Sequence, residues 1–133
     1  MNTQGVKRMI LLILFLLPIM AFSQADILDN IAGAIRSGNS KEVARYFDNN
    51  VEITILDRES TYSRIQAEMV LRDFFSKNSV QSFDLIHRGT SGEGSAYGIG
   101  TLKTGGQTYR TYYFVKQKGS QQFIQEMRFE KQN

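Results

Sequence analysis

Arg110, Tyr112 and Phe114 alternate along one stretch and share a face wherever that stretch is extended. An arginine beside a tyrosine offers a planar fork of donors and a phenolic hydroxyl, a pair suited to a carboxylate or phosphate-like group. On a concave face the two would line a pocket. On the opposite face the arginine stem would cover aromatic rings. His87, the single histidine, could act as acid or base near neutral pH. It alternates with Phe83 and Leu85 and reads as the end of a mostly apolar strand face. Asp57, Asp84 and Glu126 are the carboxylates that could orient it in space. Tyr62 directly precedes Ser63, a helix cap, and could project its hydroxyl into a cavity at the helix start. Tyr62, His87, Arg110 and Tyr112 are therefore the candidate ligand-binding residues. No residue is assigned a catalytic role.

Other chemistry is narrowed by what is missing. The chain has no cysteine, which removes disulfides, thiolate metal sites, iron–sulfur clusters and cysteine nucleophiles. One histidine cannot build a multi-histidine metal centre, no other motif supports metal binding, and no cofactor is expected. Gly98-Ile99-Gly100 lacks the third glycine and the following helix that a dinucleotide fingerprint requires. The aromatics of residues 109–114 could stack on sugars or bases, although packing a sheet is their simpler role. Ser63 reads as a cap rather than a nucleophile.

The elements that must position these residues follow from periodicity. Residues 26–37 read as a helix, with Ile27, Leu28, Ile31, Ala34 and Ile35 on one stripe and Gly38 as its left-handed end. Asn39 or Ser40 caps a second, shorter helix, with Glu42 placed for a capping box; Val43, Ala44 and Phe47 share its face, and residues 48–50 end it. Val51, Ile53 and Ile55 then alternate as a half-buried strand. Ser63 and Gln66 form a capping box for a third helix striped by Ala67, Val70, Leu71, Phe74 and Phe75. Glu68–Arg72 and Asp73–Lys77 are acid-before-base pairs on its outer side. From Val80 the period becomes 2, and residues 82–89, 95–103, 107–118 and 122–131 read as four strands. Gly105-Gly106 has the chemistry of a two-residue hairpin with positive φ, and Gly98 and Gly100 share a strand face, which points to sharp coiling or to close approach of another element.

The 133 residues suffice for one domain. Lys7 and Arg8, an uncharged run over residues 9–22, and Ala21 and Ser23 at the −3 and −1 positions form the three parts of a secretory signal peptide, residues 1–23. The 14-residue run would span roughly 21 Å as a helix, short of the ~30 Å hydrocarbon core. A second cut, after Ala25, is also compatible. The expected mature domain is residues 24–133, periplasmic or extracellular, without membrane attachment after cleavage. Its 14 basic and 13 acidic residues nearly cancel, and no Lys/Arg cluster marks a nucleic-acid partner.

Helices, a strand, a helix and four meandering strands make an α+β pattern, which favours an antiparallel sheet with helices on one side. This order resembles the cone-shaped nuclear-transport-factor-2-like (cystatin-like) fold, and that resemblance implies a curved antiparallel sheet wrapped around the N-terminal helices and one long helix. More narrowly, the chain is similar to a bacterial secreted family of unknown function, number 4783. The resemblance rests on Tyr62-Ser63, Gln66-Ala67-Glu68, Leu71-Arg72-Asp73-Phe74-Phe75, Ser82-Phe83, His87-x-Gly89, Gly98-Ile99-Gly100-Thr101-Leu102, Arg110-x-Tyr112 and Ile124-x-Glu126-x-Arg128. It implies a fold and an exported compartment. Cone-fold isomerases and dehydratases use pocket carboxylates, Tyr or His, but no spacing here reproduces their sites.

Three functional expectations follow. The first is an exported non-catalytic domain that binds a small acidic or amphipathic ligand, or a protein partner. It requires an open cavity beside Arg110 or Tyr112, and a cone filled by Phe74, Phe75, Met127 and Phe129 counts against it. The second is an assembly module with a filled cone and a sheet-to-sheet homodimer, supported by apolar and aromatic residues on the outer sheet face. The third is a proton-transfer isomerase or dehydratase, which requires His87 beside a buried carboxylate in the cavity.

Overall fold

The computed structural model describes residues 26–133; the stretch expected to be a signal peptide, residues 1–23, lies outside them. Helix α1 (Ile27–Arg36) is capped by Asp26, whose carboxylate accepts the Leu28 N–H at 3.1 Å, and it buries Leu28, Ile31, Ala32 and Ile35. Gly38, at φ 67°, ends it as expected. Helix α2 (Ser40–Ala44) is capped by Asn39, but Glu42 turns to Arg45 at 3.5 Å and makes no capping box.

Strand β1 (Phe47–Ile55) starts four residues earlier than alternation indicated. Phe47 belongs to the strand and is fully buried, and residues 48–50 continue it rather than ending a helix. The Asp48 carboxylate makes this workable. It accepts from the Asn49 N–H at 2.7 Å and from Gln125 Nε2 at 3.1 Å, and pairs with Lys118 Nζ at 2.7 Å. A polar side chain thus satisfied can be buried in a strand.

The sequence reading contained no strand at β2 (Arg58–Ser63), which pairs antiparallel with β1 through the Leu56-Asp57 turn. Helix α3 (Arg64–Lys77) has the expected capping box: Gln66 N–H donates to Ser63 Oγ at 3.3 Å and Ser63 N–H to Gln66 Oε1 at 3.2 Å. Both outer ion pairs form, Glu68–Arg72 at 3.6 Å and Asp73–Lys77 at 3.0 Å. Ala67, Leu71, Phe74 and Phe75 are buried, Val70 partly so.

Strands β3 (Val80–Thr90), β4 (Ala96–Thr104), β5 (Thr108–Lys118) and β6 (Gln121–Lys131) complete a six-stranded curved sheet in the order β2-β1-β6-β5-β4-β3. All neighbours are antiparallel except β1 and β6, which run parallel with Ile53 beside Met127. The sheet is therefore mixed rather than purely antiparallel. The chain between β1 and β6 includes a helix and four strands, long enough to return in the same direction.

The three helices of the described residues cover one face. Their apolar residues share a core with Phe83, Leu102, Tyr109, Tyr113, Val115, Ile124, Met127 and Phe129. Gly98 lies under the Tyr113 ring, where a Cβ would stand 2.7 Å from Cζ, and Gly100 lies under Phe83. The Gly105-Gly106 loop does join β4 to β5, closed by Thr104 N–H to Gln107 O at 2.9 Å, but neither glycine takes positive φ.

Candidate functional site

Cross-strand partners share a face, so the strand register fixes which side chains lie on the sheet side away from the helices. One row across the sheet is Thr61, Glu52, Glu126, Phe114, Tyr97 and Gly89. The next is Glu59, Thr54, Arg128, Tyr112, Ile99 and His87. The outer face is therefore divided. Its β2-β1-β6 half carries three carboxylates around Arg128, and its β5-β4-β3 half carries aromatic and apolar side chains ending at His87.

Three of the four candidate residues are on this outer face. Tyr112 is half-buried, with the Arg128 guanidinium 5.6 Å from its ring centre and the Tyr97 ring at 6.2 Å. Arg110 reaches Glu130 at 3.9 Å. Of the two placements open to Arg110 and Tyr112, the outer one is realised, because Tyr109, Thr111, Tyr113 and Val115 take the inner positions of β5. His87 is also displaced from its expected face. The β3–β4 register shifts between Leu85 and His87, so a bulge at Ile86 turns His87 away from Phe83 and Leu85. His87 is exposed and lacks the cavity position that a proton-transfer site requires.

The electrostatics follow the same division. Hydrogen bonding to Glu59, then burial, raises the Glu52 carboxyl above the ordinary carboxylate range. Glu126, 2.5 Å from Arg128, holds that guanidinium more firmly protonated. Burial, then the Glu126 charge, pushes the Tyr112 phenol up. Among the described residues, no three His, Asp or Glu side chains are grouped to hold a metal ion.

Inside, the cone is filled where Phe74, Phe75, Met127 and Phe129 meet; all four are buried, with the Phe74 and Phe129 rings 4.5 Å apart. Tyr62 is the candidate that remains on the inner side. It lines a cleft of about 470 Å³ between the β1–β2 hairpin and α3, with Ile53, Ile55, Arg58 and Val70. A second groove of about 460 Å³ at the start of α1 includes Arg88, which is already bound by Asp26 and Asp29 at 3.1 and 2.7 Å.

Sequence reasoning did not single out Tyr97, Glu52, Glu59 or Arg58. Tyr97 had a readable signal: Gly98 and Gly100 mark the crowded face of β4, so Tyr97 and Ile99 must lie on the other.

The comparisons with known proteins agree with this fold. A family model described as a domain of unknown function, DUF4783, matches residues 28–130. A solved DUF4783 family protein from Bacteroides uniformis is 27% identical, with a TM-score of 0.77 over 81% of this chain and 99% of its own. One from Bacteroides fragilis is 33% identical, with a TM-score of 0.75 over 80% of this chain and 100% of its own. A nuclear-transport-factor-2-like protein of unknown function from Cytophaga hutchinsonii, 9% identical, has a TM-score of 0.59 over 84% of this chain and 95% of its own, a likeness of fold alone. No curated protein matches the sequence. The resemblance and the α+β cone read from the sequence are borne out.

Proposed function

The chain belongs to the DUF4783 family of domains of unknown function, and from that starting point we propose that it is an exported, non-catalytic association module, two copies of which join through the outer faces of their sheets. The observation that carries this reading is the division of the outer face into an acidic half and an aromatic half. A two-fold axis parallel to the strands, over the β5–β6 seam, would bring unlike halves together. Glu52 would then face Tyr97 of the second copy, Arg128 would face Tyr112, and Glu59 would face His87. These pairings suit the groups: phenols donate to carboxylates, guanidinium stacks on an aromatic ring, and imidazole meets an acid. The filled cone and the exposed His87 favour association over conversion of a substrate.

Light scattering across a concentration series tests the reading. The protein should pass from monomer to dimer mass as concentration rises. Tyr112→Asp and, separately, Ile99→Lys should remain monomeric with an unchanged far-ultraviolet circular dichroism spectrum. A wild-type protein that is monomeric at every concentration, or a dimer that survives both substitutions, would overturn it.

A further inference from the structure

The hairpin cleft has properties that the outer face does not explain. Its floor is apolar, formed by Ile53, Ile55, Val70 and the Tyr62 ring, while its lip carries Asp57, Arg58 and Asp73. Asp73 is tied to Lys77 at 3.0 Å. Asp57 and Arg58 have no ion-pair partner among the described residues. The volume of about 470 Å³ falls within the range of small-molecule sites, roughly 300–1,000 Å³.

Leu56 supplies an independent observation. It lines the cleft at the hairpin tip in a left-handed backbone conformation, φ 57°, with 40% of its surface exposed. Its N–H donates to Phe129 O at 2.9 Å, which holds the turn in place. A leucine in this region is strained, and such strain is retained where the surroundings impose it, commonly beside ligand clamps.

We propose that this cleft binds a small zwitterion with an apolar body, such as a short apolar peptide with free termini. Its carboxylate pairs with the Arg58 fork, its ammonium with Asp57, and its side chains lie on Ile53, Ile55, Val70 and Tyr62. A plain fatty acid fits less well, because its anion would meet two carboxylates at the lip along with the arginine.

The test uses leucyl-leucine, its N-acetyl form and its C-terminal amide, followed by amide chemical shifts of the purified protein. The unmodified dipeptide should shift Leu56, Arg58, Tyr62 and Val70 saturably. Blocking either terminus should weaken binding by about tenfold or more, the value of one charge-assisted contact. Arg58→Gln should remove the penalty for the amide, and Asp57→Asn the penalty for the acetyl group. Equal binding of all three compounds, or no saturable shift in the millimolar range, would overturn the assignment. Tyr112→Asp, on the opposite sheet face, should leave these shifts unchanged, which separates this outcome from the fate of the dimer.

Discussion

The hydroxyl of Tyr113 on β5 donates a 2.8 Å hydrogen bond to the carbonyl of Leu28 on α1, joining residues 85 positions apart. Tyr113 is fully buried, and burial pushes its phenol far above the usual tyrosine range. The ring fits because Gly98, on the neighbouring strand, has no side chain. Helix α1 is therefore set on the sheet by a polar contact inside the core, and Arg88 repeats the connection at the surface by bridging Asp26 and Asp29.

Tyr113→Phe should lower stability by about 0.5–1.5 kcal/mol, the net value of one intramolecular hydrogen bond. Gly98→Ala should cost about 1–3 kcal/mol, because its Cβ would stand 2.7 Å from Tyr113 Cζ and 3.0 Å from Leu85 Cδ1. Urea unfolding checks both, as a lower midpoint with unchanged slope. A neutral Gly98→Ala would show that the ring moves freely and that the glycine is not required.

Local signals were legible and register was not. The Ser63–Gln66 capping box and the α3 stripe needed only residues three or four apart, and both formed. Strand β2 escaped notice because Arg58–Ser63 lies at a sheet edge, where Tyr62 is its one partly covered side chain. In β5 two alternating sets compete, and both contain aromatics. Burial of Tyr109 and Tyr113 assigns Arg110 and Tyr112 outward, a choice made by contact with distant helices. His87 was misplaced for a different reason: one inserted residue in β3 changes the face of everything after it.

Asp48 gives a pH-dependent prediction. Burial works to raise its carboxyl, but Lys118, the Asn49 N–H and Gln125 outweigh that and hold it below the usual range. A depressed folded value means that its stabilisation is complete above the unfolded carboxyl pKa, ~3.9, and is lost as pH falls through the lower folded value. Asp48→Asn should cost about 1–2 kcal/mol at pH 7, and the gap to wild type should close in strong acid. A gap that is constant from pH 7 to pH 2 would rule out the charge as its source.

Glu52 has the opposite sign. Its carboxyl is raised, first by the hydrogen bond with Glu59 and then by burial. The folded state therefore holds this proton more tightly than the unfolded chain, so stability declines as pH rises through the folded value. Glu52→Gln should stabilise the monomeric Ile99→Lys protein at pH 7 by roughly 0.2–1 kcal/mol, the scale of cross-strand like-charge repulsion. The two proteins should converge as pH falls toward the unfolded glutamate pKa, ~4.3. A less stable Glu52→Gln protein at pH 7 would mean that the carboxylate is held by attraction.

Leu56 joins stability to the cleft. A left-handed L-residue costs roughly 1–2 kcal/mol, and glycine adds back about 0.5–1 kcal/mol in lost unfolded-state restriction. Leu56→Gly also gives up the partial burial of a residue that is 40% exposed, a loss of roughly 1–2 kcal/mol, so the opposing contributions should leave stability within about 1 kcal/mol of the wild type. The same substitution removes an apolar wall of the cleft, so leucyl-leucine should bind it more weakly. Urea midpoints and amide shifts on the same protein read both effects. A variant that keeps its stability and binds less well would identify the leucine as strain kept for recognition. One that loses more than about 1 kcal/mol would show that Leu56 is held by favourable contacts exceeding the cost of its backbone.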